Sequence, residues 1–139
     1  MKYFTFQEFE RSETAYRHAI DNSVPEAAKA NIAALVDAVL DPLREAWGRP
    51  ITVTSGYRCP RLNRAVGGVA TSQHTKGEAA DITTGNEVDN AKLFQLAIKL
   101  KLPFDQLIFE KGDLRTGPKW VHVSHKAEGE NRRQIIYAK

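Results

Sequence analysis

Residues 23–50 constrain this chain more than any other stretch. Ile32, Leu35, Val36, Val39, Leu40, Leu43 and Trp47 recur three or four positions apart, which lines them along one face of a helix. Ser23-Val24-Pro25-Glu26 supplies the start, with Ser23 as N-cap, Pro25 near the first turn and Glu26 in the capping-box position, and Gly48-Arg49-Pro50 stops the pattern. Pro42 lies inside it and is expected to bend the helix, because it has no N–H to donate and its ring crowds the preceding turn. An apolar stripe of this length needs another surface to cover it. The next residues begin one: Ile51-Thr52-Val53-Thr54-Ser55 alternates, is rich in β-branched side chains, and reads as a strand entering the turn Gly56-Tyr57-Arg58-Cys59-Pro60.

Further strands are predicted at residues 78–83, 106–109, 120–124 and 133–137. Residues 61–76 are polar, contain Gly67-Gly68, and read as a loop in which Leu62 and Val66 mark a short helical turn. Between them and the later strands, residues 88–100 place Ala91, Phe94, Ala97 and Ile98 on one helical face and end before Pro103. Strands concentrated in the second half, with helices ahead and between, predict an α+β fold: a small antiparallel or mixed sheet with helices on one face. The 139 residues show no repeat, low-complexity tract or linker, so one domain spanning residues 1–139 is expected.

Charge and cysteine content narrow the function classes. Twenty Lys and Arg against seventeen Asp and Glu give +3, but the basic residues are interleaved with acidic ones and form no stripe. No nucleic-acid partner is expected, while a mild positive charge suits an anionic polymer. The single Cys59 excludes an internal disulfide and a multi-cysteine metal site. No apolar run reaches the length of a membrane span. The first nine residues lack the apolar segment and small-residue cleavage site of a secretory signal, so as written the chain is expected to be made in the cytoplasm.

Two segments carry chemistry. In Ser72-Gln73-His74-Thr75-Lys76-Gly77-Glu78-Ala79-Ala80-Asp81, Gly77 lets the chain turn after His74 and start a strand on which Ala79, Asp81 and Thr83 share one face, with Ala80 and Ile82 on the core side. In Lys119-Trp120-Val121-His122-Val123-Ser124-His125, Trp120, His122 and Ser124 share a face and His125 falls on the other. Two histidines, one carboxylate and an open fourth position suit a catalytic zinc, and the same triad would also suit non-haem Fe(II). For His18 and His125 an ordinary hydrogen-bonded histidine is the expectation.

The run Ser55-Gly56-Tyr57-Arg58-Cys59-Pro60-Arg61-Leu62-Asn63, with Val66-Gly67-Gly68, Ser72-Gln73-His74, Gly77-Glu78-Ala79-Ala80-Asp81 and Trp120-Val121-His122-Val123-Ser124, resembles the D-alanyl-D-alanine carboxypeptidase group of zinc peptidases. That group includes vancomycin-resistance D,D-dipeptidases and D,D-carboxypeptidases and several phage endolysins, and shares its zinc fold with the hedgehog signalling domain. The resemblance covers residues 4–124, roughly. It implies one zinc ion per chain held by His74, Asp81 and His122, and an Arg58 that faces substrate, clamping a carboxylate or stabilising an oxyanion. Ser72 either bonds substrate or orients the His74 loop, with the second role preferred. Peptidoglycan stem peptides are the implied substrate, cut at a terminal D-alanine or inside the stem, by a monomer acting at the cell wall or in the periplasm of a bacterial or phage system. Zinc is preferred over iron because a redox-inert Lewis acid suffices for hydrolysis, and an Fe(II) oxygenase leaves Arg58 and the Ser-x-His loop without a role.

The sequence departs from this family pattern in one place. The vancomycin-resistance dipeptidases carry a Glu three residues before the second zinc histidine, where this chain has Lys119. Glu110, ending the strand Gln106-Leu107-Ile108-Phe109-Glu110, is the expected general base, by analogy with hedgehog-type domains; Asp113 and Asp105 are reserves. Without a working base, the alternative is a zinc-containing module that binds peptidoglycan or peptide and does not turn over.

Overall fold

The computed structural model describes residues 1–138. The chain enters through two short helices, α1 (Phe6–Glu10) and α2 (Glu13–Arg17), each five residues long and too short to leave a periodic signature. Local capping holds them. Thr5 and Glu8 close a capping box at α1, and the Ser12 hydroxyl accepts the Ala15 N–H at α2.

The long apolar pattern forms a continuous helical column in three parts: α3 (Glu26–Leu35), a π-helical turn over Val36–Leu40, and α4 (Asp41–Trp47). The accommodation of Pro42 falls just before the ring, where the Asp41 N–H donates to the Val36 carbonyl five residues back. The start of the column differs from the sequence reading. Ser23 does not cap it: both its N–H and its hydroxyl donate to Asp21 Oδ1, at 2.9 and 2.5 Å, closing the preceding turn. The N-cap position belongs to Pro25, whose carbonyl accepts from Ala28 and Lys29, and Glu26 is the first helical residue rather than part of a capping box.

The remaining elements follow the predicted order: β1 (Thr52–Ser55), α5 (Pro60–Ala65), a 3₁₀ turn over Gln73–Lys76, β2 (Ala79–Thr83), α6 (Glu87–Lys99), β3 (Gln106–Glu110), β4 (Trp120–Ser124) and β5 (Gln134–Ala138). The strands form one mixed five-stranded sheet in the order β1-β2-β4-β3-β5, antiparallel throughout except for the parallel β3–β5 pair. The fold is therefore the expected α+β class.

One face of the sheet is covered by helices. Val53, Ala80, Ile82, Leu107, Val121 and Val123 pack into a single apolar core with Ile32, Leu35, Leu40 and Leu43 of the column and Leu93 and Phe94 of α6. The alternation that sends these residues inward sends Asp81, His122, Ile108 and Glu110 to the opposite face, which no helix of the core covers. Register completes the arrangement. Asp81 stands opposite His122, His122 opposite Ile108, and Glu110 opposite Trp120, so the chemistry-bearing residues cross neighbouring strands side by side.

Candidate active site

His74, Asp81 and His122 converge, each offering one ligand atom, with all three atoms within 4.8 Å of one another. Asp81 and His122 meet because β2 and β4 pair in register, and His122 Nδ1 lies 2.9 Å from Asp81 Oδ1. His74 arrives from the 3₁₀ turn, with Nε2 at 3.5 Å from the same oxygen. Gly77 makes that approach possible. Its φ of 77° ends the 3₁₀ turn in the left-handed region, and a Cβ there would stand 2.7 Å from the Ala28 carbonyl oxygen.

The donor set fits a zinc ion. His74 Nδ1 donates to the Gly56 carbonyl at 2.7 Å, which fixes the tautomer and leaves the Nε2 lone pair directed at the Asp81 carboxylate. Two acceptors facing each other at 3.5 Å need a cation or a proton between them. Tetrahedral ligands at zinc bond lengths stand roughly 3.3 Å apart, close to the 2.9 and 3.5 Å separations at Asp81. Burial raises the cost of the Asp81 charge, yet the two imidazoles beside it outweigh that cost and hold its carboxyl well below the ordinary range. The side chains of His74, Asp81 and His122 are only 3%, 14% and 14% exposed, and all three line a cleft of about 420 Å³. Arg58, Ser72, Glu110 and Trp120 line the same cleft.

The sequence profile of the peptidase M15 family matches residues 2–124, which takes in every one of these side chains. The chain belongs to the peptidase M15 family. A stretch of 63 residues is 43% identical to the zinc D-Ala-D-Ala carboxypeptidase of Streptomyces albus G, covering 44% of this chain and 25% of that protein. The chain thus spans about a quarter of the length of that curated relative.

In this M15 family member the Arg58 turn is pinned from both sides. The Asn22 side chain donates to the Glu10 and Tyr57 carbonyls and accepts the Cys59 N–H, all at 2.8 to 2.9 Å. The Arg58 N–H donates to the His74 carbonyl at 3.0 Å, tying the turn to the loop that carries His74. Its guanidinium Nη1 donates to Asn63 Oδ1 at 3.0 Å, while Nε is buried without a partner among the described residues. Gly68 packs against this pair so closely that a Cβ would meet Asn63 Oδ1 at 2.1 Å. Burial pulls the Arg58 pKa down and Asp81 pulls it back up, so the cation is held where a negative group would be welcome. Ser72 accepts the His74 N–H at 3.2 Å and caps the 3₁₀ turn.

Glu110 ends β3 on the cleft face, with its pKa raised by burial and by Asp81 against the lowering influence of His122, Lys111 and His74. Lys119 is its neighbour across the hairpin, where the Lys119 N–H donates to the Glu110 carbonyl at 2.9 Å, but the Lys119 side chain lines a different depression with Thr83 and Asn86. The two reserve carboxylates do not line the metal cleft. Asp105 is fully buried in a bidentate pair with Arg132, at 3.0 and 2.9 Å, and Asp113 closes its own turn by accepting the Arg115 N–H. His125 turns to the Pro103 carbonyl, and His18 lies exposed at the end of α2. Sequence reasoning assigned no role to Asn22, Asn63 or Gly68. Asn63 and Gly68 stand inside the quoted motif, but Asn22 is 37 residues from its Cys59 partner and left no signal.

Proposed function

We propose that this M15 family member is a zinc peptidase that hydrolyses peptide bonds in the stem peptides of the bacterial cell wall. The convergence of His74, Asp81 and His122 on one cleft wall, beside Arg58 and Glu110, carries the reading. His74 Nε2, an Asp81 carboxylate oxygen and His122 Nδ1 are the ligands. Zinc so held supplies Lewis acidity to a scissile carbonyl and makes water a stronger acid. Glu110 is the general base: its half-buried carboxylate takes the proton of the attacking water and returns it to the leaving amine. Arg58 holds the negative charge that develops on the carbonyl oxygen, or a carboxylate of the substrate, with a guanidinium whose orientation is already set by Asn63. Ser72 positions His74.

The relative's name, zinc D-Ala-D-Ala carboxypeptidase, supports both the metal and the substrate class. The test is digestion of purified peptidoglycan by the zinc-loaded protein, followed by mass spectrometry of the released peptides. New peptide termini that depend on zinc support the proposal. Zinc-dependent binding with no new termini would instead make the chain a binding module that retains its metal.

A further inference from the structure

Acidic and basic residues are interleaved along most of the chain, but the alternation is suspended over residues 46–77, which contain no Asp or Glu while carrying Arg49, Arg58, Arg61, Arg64 and Lys76. This segment forms β1, the Arg58 turn, α5 and the loop leading to His74, so it borders the metal cleft along one side. Two of its arginines stand on open surface. Leu62 and Asn63 are the buried residues of α5, and the exposed Arg61 and Arg64, three positions apart, share its outer side with their Cβ atoms roughly 5 to 6 Å apart. Neither makes an ion pair among the described residues.

The nearby carboxylates have other partners. α2 packs against α5, and its one acidic residue, Glu13, is paired with Arg17 of the same helix. Glu10 accepts the Val24 N–H, and Glu8 closes the capping box with Thr5. Asp81 is largely buried and is met by His74 and His122. Arg11, exposed in the connection between α1 and α2, faces Leu62 and Val66 of α5 across a cavity of about 360 Å³ and adds a third cation without an ion pair among the described residues.

The kind of anion follows from the placement. Arg61 and Arg64 line neither the metal cleft nor the cavity beside it, so no wall encloses a single small anion between them. Cations spaced along a surface match a charge repeated along a chain. All three are arginines, whose planar fork of donors suits the two free oxygens of a phosphate diester better than the point charge of lysine does.

Taking the peptidase reading above as the guide to the partner, we infer that the outer side of α5, together with Arg11, is a docking surface for a phosphodiester-linked polyol or sugar polymer of the cell wall. The arginines grip successive phosphates. Because α5 starts two residues after Arg58, the docked polymer lies beside the cleft and holds the enzyme where stem peptides are dense. A nucleic acid repeats the same charge, and the wall polymer is chosen because this surface borders the cleft.

The probes are a synthetic glycerol phosphate oligomer, single-stranded DNA of equal charge, and phosphatidylglycerol vesicles. Calorimetric titration of the zinc-loaded protein is expected to show the oligomer binding best, and the double variant Arg61→Gln, Arg64→Gln weakening it about 25-fold, about fivefold for each basic residue facing an anionic surface. Added salt is expected to weaken wild type more steeply than the variant. On isolated cell walls the variant is expected to be retained no better than wild type is on walls stripped of phosphodiester polymers with hydrofluoric acid, while both proteins cut a soluble stem peptide at the same rate. Unchanged affinity in the double variant, or equal retention of wild type on stripped and unstripped walls, overturns the surface. Tighter binding of DNA or of vesicles than of the oligomer overturns the wall polymer as partner. Oligomer binding that the double variant loses, with no cleavage of any peptide, supports the surface and removes the peptidase reading; cleavage of the soluble peptide without oligomer binding does the reverse.

Discussion

Replacing Glu110 with Gln removes the proposed base while preserving shape, and its effects on metal, stability and turnover separate cleanly. Glu110 stands opposite Trp120 on the cleft face of β3, is not one of the three metal ligands, and makes no side-chain ion pair among the described residues. Zinc content should therefore stay at the wild-type level. Stability has a definite sign. Because burial raises the Glu110 pKa in the folded state, the ionised carboxylate destabilises the metal-free protein at pH values above its unfolded pKa, and neutral Gln lifts that penalty. Metal-free Glu110→Gln should thus melt no lower than wild type near neutral pH. Turnover behaves differently. Loss of a general base costs about 10²- to 10⁴-fold, or about 3 to 5 kcal/mol of transition-state stabilisation. The assay is kcat on a stem-peptide substrate, read beside elemental analysis and thermal melts of the same preparations. Turnover within a few-fold of wild type, with zinc retained, refutes the role of Glu110; if Asp113→Asn is then inactive, the base is Asp113.

Arg58→Ala should keep its zinc and lose roughly 10²- to 10³-fold in kcat/KM if the guanidinium acts on substrate charge as proposed, since it lines the cleft but is not one of the three converging residues; unchanged kinetics with intact zinc would make it a structural residue. The Asp105–Arg132 pair predicts an acid limb in stability. Hydrogen bonding to Arg132 outweighs burial and lowers the Asp105 pKa from 3.8 to about 2, so its contribution is full above the unfolded value and disappears as pH falls through about 2. The contribution is about 2 kcal/mol, and Asp105→Asn should flatten the loss of stability between about pH 4 and 2 in denaturant titrations; an unaltered acid limb contradicts the assignment.

Period-two alternation made much of this site legible. It put Asp81 and His122 on the uncovered face, sent Ala80, Ile82, Val121 and Val123 to the core, and separated His122 from His125. Strand order was not legible: β4 inserts between β2 and β3, and only that non-sequential pairing sets Asp81 directly against His122. The supports of the Arg58 turn were hidden for a similar reason, since Asn22 reaches Cys59 across 37 residues and the bond from His74 Nδ1 goes to a backbone carbonyl that any residue could supply. The misread start of the helical column has a local cause. An Asp two residues before Ser23 competes for its hydroxyl and its N–H, and nothing in the spacing of Ser23, Pro25 and Glu26 reports that competition.

The most direct test of the metal assignment is zinc stoichiometry, measured by elemental analysis on purified wild type and on the His74→Ala, Asp81→Ala, His122→Ala and His125→Ala variants. Wild type and His125→Ala should each carry one zinc per chain, because His125 faces the Pro103 carbonyl, and the other three should lose it. Full zinc in His122→Ala together with its loss in His125→Ala would contradict the site.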